Sequence, residues 1–152
     1  HEEGNFDLHV TWNIVTNTEN WFTLELSTDL IMAGSNREIR IYHIYVPTGE
    51  VMELSDIFNP DFDYTSVISQ EIKEQMRERM AADPQDLYWL EETTDVADWR
   101  FNTISADHNF YFNEEGKLVI PFNKYEVGPG STGTPEFVLE SPSLYENLLY
   151  TP

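Results

Sequence analysis

The stretch Gly128 to Gly133 has the G-x-x-x-x-G spacing of a phosphate loop. Thr134-Pro135 stands where such a loop needs Lys followed by Ser or Thr, so it lacks the cation that would meet a phosphate. Ser131 is not a nucleophile elbow, because Pro129 occupies the position two before it. The four histidines, His1, His9, His43 and His108, form no H-E-x-x-H motif and no close pair to hold zinc. Asn59, Asp61, Asp63 and Thr65 imitate the start of a calcium loop, but Tyr64 replaces the obligatory glycine and Gln70 the bidentate glutamate. Asp61 or Asp63 is better read as the cap of the helix that follows. Acidic residues are so numerous that a pair at glycosidase spacing carries no information. The sequence therefore names no catalytic residue, no metal and no cofactor.

Three glycines and two prolines lie from Gly128 to Pro135. Such a loop is shaped by its backbone, and turn chemistry alone makes it a sharp connection between strands. Before it, Phe110-Tyr111-Phe112 and Leu118-Val119-Ile120 flank Asn113-Glu114-Glu115-Gly116, the pattern of a β-hairpin.

Upstream, Leu8, Val10, Trp12 and Ile14 alternate with Asp7, His9, Thr11 and Asn13, which predicts a half-buried strand over Phe6 to Thr16 with His9 on its polar face. Trp21 to Met32 repeats the alternation, and Arg37 to Val46 is rich in β-branched and aromatic residues, His43 among them as a packed or edge residue. These three segments predict one antiparallel sheet. Ile68, Ile72 and Met76 place an apolar stripe on a helix over Tyr64 to Ala82, where Glu74 and Arg77 are spaced to pair. Asp83-Pro84 predicts a short helix reaching about Glu92, and Phe101 to Ile104 is expected to resume the sheet. Phe137 to Leu139 reads as a last strand and Ser141-Pro142 as the start of a short terminal helix. The expected fold is α+β, a mainly antiparallel sheet of about six strands packed against one long helix and shorter helices.

The totals narrow the function class. With 152 residues the chain is read as one domain over 1–152, and 40% hydrophobic with 14% aromatic residues is enough to build a core. Twenty-eight Asp plus Glu against 8 Lys plus Arg give a net charge of −20, which repels nucleic acid and anionic membrane and steers a cationic partner. There is no cysteine, hence no thiolate chemistry and no disulfide framework. No run of about 18 apolar residues spans a membrane, and no secretion signal is present. A start at His1 rather than Met is read as a fragment of a longer, anchored protein.

The segment Phe122, Tyr125, Glu126, Val127, Pro129, Gly133, Glu136 and Phe137 follows an F-x-x-Y-E-[VI]-x-P-x-x-x-G-x-x-[ED]-F-like signature. It resembles the C-terminal extracytoplasmic domain of RsiV-like anti-sigma factors, which also stands beside some peptidoglycan deacetylase domains. A second match, Tyr45, Gly49, Leu54, Asp56 and Phe58, is similar to the family's L-x-D-[IL]-F segment, and together the matches reach from about Trp21 to Leu149. The chain departs from the family at Ala33-Gly34-Ser35-Asn36, shorter than the usual glycine-histidine segment, and at Gly130, where several relatives place an aromatic residue.

The resemblance implies a non-catalytic sensor or binding domain at the cell surface, whose relatives bind lysozyme, a small cationic protein. It points to Tyr125, Glu126, Val127, Gly128, Pro129, Gly130, Ser131 and Thr132 as the partner-binding loop. An alternative is a cell-wall glycan (peptidoglycan) module, in which exposed Trp21, Trp89 and Trp99 would stack on sugar rings.

Overall fold

The computed structural model describes residues 7–31 and 35–150. The ends of the first two expected strands at Phe6 and Met32, the link residues Ala33 and Gly34, and His1 lie outside the described residues. The chain divides into two compact units, His1–Val51 and Met52–Pro152.

The first unit is built on three long strands, β1 (Asp7–Asn17), β2 (Trp21–Ile31) and β3 (Ser35–Tyr45), followed by the short β4 (Glu50–Met52), in the order β1-β2-β3-β4. The expected antiparallel pairing of the three long segments holds, with β1 against β2 and β2 against β3. Thr18 fixes the first turn: its amide donates to the Trp21 carbonyl at 2.8 Å and its hydroxyl accepts from the Trp21 amide at 3.0 Å. Gly49 closes the β3–β4 turn at φ +73°, with its amide donating to the Tyr45 carbonyl.

The covered face of this sheet is not the one the β1 alternation suggests. Trp21, Thr23, Ser27 and His43 are buried, while Leu8, Val10, Trp12 and Ile14 are 58%, 59%, 68% and 43% exposed. Both faces of β1 are open over Asp7 to Asn13. Alternation reports that one face of a strand is apolar; it does not report that anything covers it. His43 is packed, as expected: Thr23 Oγ1 lies 3.0 Å from its Nδ1, and Trp21 meets its ring edge-on.

In the second unit, helix α1 runs over Tyr64–Ala82, and Asp63 caps it by accepting from the Ser66 amide and the Thr65 hydroxyl. Its stripe of Ile68, Ile72 and Met76 is fully buried. The hairpin forms as expected, β5 (Tyr111–Phe112) against β6 (Leu118–Pro121), and β7 (Glu136–Val138) completes a three-stranded antiparallel sheet. Asn113 builds the hairpin turn, its side chain accepting from the amides of Glu115 and Lys117 while Gly116 takes φ +75°. Helix α2 (Pro142–Glu146) is the expected terminal helix.

Four expectations are corrected here. Among the described residues the strands form two sheets, of four and three, rather than one of about six. No helix opens at Asp83-Pro84. Asp83 instead ends α1, and Tyr88 and Leu90 are buried while Leu87 is exposed and Trp89 half-buried, the period of an extended segment. The Trp89 amide donates to the Val127 carbonyl and the Phe101 amide to the Trp89 carbonyl, bonds that a helix would have claimed. Phe101 to Ile104 likewise stays outside the sheet, with the Ile104 amide donating to Ser69 Oγ on α1. Arg77 pairs with Glu92 at 2.6 Å rather than with Glu74, because the extended segment brings that carboxylate across to the helix.

Candidate functional site

The loop from Tyr125 to Thr132 is anchored from below and exposes Tyr125, Glu126 and Ser131, with Lys124 Nζ 5.1 Å from the centroid of the Tyr125 ring. Its entry is a turn in which the Glu126 amide donates to the Asn123 carbonyl and the Asn123 amide returns a bond to Glu126 Oε1 at 2.9 Å. That reciprocal pair leaves Tyr125 at φ +68°, the sole positive-φ residue other than glycine among the described residues. A left-handed tyrosine costs on the order of 1 kcal/mol and persists only where its surroundings over-determine it. The consequence is a ring turned out of the turn and 55% exposed.

Beyond Tyr125 the backbone drops into the protein. Val127 is buried and its carbonyl accepts from the Trp89 amide. Gly128 is also buried, and a Cβ there would stand 2.5 Å from the Leu87 carbonyl oxygen and 2.8 Å from Thr132 Oγ1. Only glycine fits that approach. Pro129 opens a single 3-10 turn over Gly130–Thr132, its carbonyl accepting from the Thr132 amide. Thr132 Oγ1 donates to the Leu87 carbonyl at 2.6 Å, and Gly133 at φ +70° releases the chain toward β7. Gly130 lies against the Tyr125 ring, where a Cβ would come within 2.9 Å of the phenol oxygen. Ser131 is exposed at the crown.

His108 supports the loop from the side and belongs to the same cluster. Its Nε2 lies 2.9 Å from the Pro121 carbonyl, which can only accept, so Nε2 carries the hydrogen. Nδ1 then faces Glu126 Oε2 at 3.7 Å, and the ring packs on Phe122 with centroids 4.7 Å apart. No spacing signals this contact, since 18 positions separate the two residues and neither belongs to a recognisable pair. All eight loop residues fall in one structure, but their functional groups do not converge as a nucleophile, base and oxyanion donor would.

The aromatic residues sort differently from one another. Trp21 is buried and unavailable to a ligand, Trp89 is half-buried, and Trp99 is 52% exposed with its ring centroid 5.0 Å from that of Trp89. An open groove of about 570 Å³ lies elsewhere, between α1 and the edge of β7, lined by Glu71, Glu74, Glu78 and Glu140 among others. Glu71 there is consumed by structure, accepting from the amides of Glu140 and Ser141 and from the Ser141 hydroxyl. Among the described residues no group of three or more His, Cys, Asp or Glu is placed to hold a metal ion, and no helix is long and apolar enough to cross a membrane.

Residues 55–141 match the model of the family described as "Protein of unknown function (DUF3298)". The chain is 35% identical over 148 residues to the anti-sigma-V factor RsiV of Bacillus subtilis, a match that covers 97% of this chain and 50% of that protein. The chain thus spans about half the length of that curated relative. Two crystal structures share the fold: a DUF3298 family member from Bacteroides fragilis, with TM-score 0.69 at 13% identity over 97% of this chain and 56% of that one, and a DUF3298 protein from Pseudomonas aeruginosa, with TM-score 0.68 at 16% identity over 94% of this chain and 62% of that one. The signature around Tyr125 to Phe137, the matching fold and the relative together place the chain in the DUF3298 family, as an RsiV-like domain.

Proposed function

We propose that this is a non-catalytic extracytoplasmic sensor domain that binds a cationic protein such as lysozyme through the loop Tyr125 to Thr132. The observation that carries the reading is the way the loop is held: Tyr125 is kept exposed at φ +68° while Val127 and Gly128 are buried beneath it. A loop whose backbone is fixed in advance enters a partner's cleft at low ordering cost. The net charge of −20 supplies long-range attraction for a basic partner. Kinship with an anti-sigma factor supports a sensing role, and in this reading the domain works outside the cell.

The test is calorimetric titration of a c-type lysozyme into the domain at low and moderate salt, with a Tyr125→Ala/Pro129→Ala double variant as control. Tight binding that weakens with salt and is lost in the variant supports the reading. Equal binding by the variant, or none by the wild type, overturns it.

A second reading, a peptidoglycan-binding accessory module, draws support from the exposed Trp99 packed at a tilt against Trp89, since an exposed indole is a platform for a sugar ring. Its affinity would be indifferent to salt.

A further inference from the structure

We infer that the Trp89–Trp99 pair is a second contact of the same interface, one that takes an arginine or lysine side chain of the cationic partner. The inference deepens the reading of the loop and rests on it for the partner's identity. The segment that carries the pair is bonded directly to the loop. Trp89 donates its amide to the Val127 carbonyl at 2.8 Å, and the Leu87 carbonyl accepts from Thr132 Oγ1 at 2.6 Å. A partner seated on the loop therefore meets this segment next.

Both its exposed indole and its charge select a cation. One face of Trp99 leans on Trp89, at 5.0 Å between centroids and 33° between planes, and the residue as a whole is 52% exposed. An indole face presented in this way attracts a guanidinium or ammonium group through the ring quadrupole. Glu91, Asp95 and Asp98 are carried exposed on the same segment, and the ion pairs of the described residues leave all three out. The neighbouring Arg100 is turned inward, its Nε donating to the Thr94 carbonyl at 3.0 Å. Among the described residues these three exposed carboxylates of the segment have no ion-pair partner. They attract a basic side chain, give a neutral sugar nothing through charge, and repel the carboxylates of peptidoglycan stem peptides.

The segment is stiff enough to present the pair. Thr93 Oγ1 donates to the Tyr88 carbonyl at 2.5 Å and accepts from the Leu90 amide at 2.8 Å, and the Phe101 amide closes back onto the Trp89 carbonyl.

The experiment follows the four tryptophan indole N–H resonances of the isotope-labelled domain, with Trp99 assigned by its loss in Trp99→Phe. Unlabelled c-type lysozyme, an octa-arginine peptide and a chitin oligosaccharide are added in separate titrations. The expected result is a Trp99 shift with lysozyme and with octa-arginine that fades as salt is raised, and no shift with the oligosaccharide. Trp99→Ala should lower lysozyme affinity at least tenfold while Trp99→Phe, which keeps an aromatic face, retains most of it. A Trp99 resonance unmoved by both cations, or moved by the oligosaccharide alone, overturns the inference. Should Trp99→Ala bind lysozyme like the wild type while the Tyr125→Ala/Pro129→Ala variant does not, the loop reading stands and this inference falls. Should lysozyme fail to bind while octa-arginine shifts Trp99 in a salt-sensitive way, the loop reading falls and the cation contact stands.

Discussion

Gln75 Nε2 donates to the Val138 carbonyl at 2.8 Å, and this bond belongs to a series in which α1 seals the outer edge of β7. One turn earlier Glu71 accepts from the Glu140 and Ser141 amides, and one turn later Arg79 Nη2 donates to the Glu136 carbonyl at 2.6 Å. Four helical residues rise about 6 Å and two strand residues about 6.6 Å, so side chains at i, i+4 and i+8 match alternate strand positions almost in step. An exposed strand edge invites pairing with another chain, and this one is closed by its own helix. Gln75→Ala should cost about 1 kcal/mol, the net worth of one hydrogen bond. Urea unfolding checks the loss. A larger aggregated fraction in light scattering would accompany it, and an unchanged midpoint would show that the bond contributes nothing.

Two loop glycines should separate stability from binding. Gly128→Ala drives a Cβ into the Leu87 backbone, which cannot step aside, and should destabilise by about 1–3 kcal/mol. Gly130→Ala meets only the Tyr125 ring, which can swing toward solvent. That variant should unfold within about 0.5 kcal/mol of the wild type, as an ordinary surface change does, yet bind lysozyme more weakly. Thermal denaturation and calorimetry on the two variants give the comparison.

Tyr125→Gly removes both the left-handed strain and the exposed ring. Relief of strain and the added freedom of the unfolded chain oppose each other, so stability should stay within about 1 kcal/mol of the wild type. Lysozyme affinity should fall at least tenfold. A variant that loses several kcal/mol would instead make Tyr125 a structural residue.

Asp63 ties the stability of α1 to pH. Hydrogen bonds from the Ser66 side chain, then its backbone amide, then the Thr65 hydroxyl hold its carboxyl below the ordinary aspartate range. A carboxyl whose folded pKa is depressed adds stability that is present above the unfolded value, near 3.9, and is lost as pH falls through the folded value. The stability difference between wild type and Asp63→Ala should therefore be constant at neutral pH and shrink in acid below about pH 4. Asp63→Asn caps without titrating, so its deficit against the wild type should vanish in the same range. Urea midpoints measured from pH 7 to pH 2 decide it, and a difference that persists unchanged in acid would remove the carboxylate from the cap.

Much of this protein was legible in local pattern. The spacing of Ile68, Ile72 and Met76 with Asp63 ahead of them determines α1 to the residue, because capping and amphipathic period are properties of neighbouring positions. The three long strands and the Asn113–Gly116 hairpin follow from the same local rules. Gly128 and Pro129 marked a loop shaped by its backbone, and the signature around them marked its kinship. Tertiary structure alone decided what depends on partners far along the chain. The extended course of Leu87 to Leu90 is fixed by hydrogen bonds to Val127 and Phe101, which overrule the helix start at Asp83-Pro84. The exposure of Leu8, Val10, Trp12 and Ile14 is decided by what lies over a strand, which alternation does not encode. The contact of His108 with Glu126, the seating of Gly130 beneath Tyr125, and the tilted packing of Trp99 on Trp89 all join residues by packing rather than by spacing, and packing is settled only when the whole chain has folded.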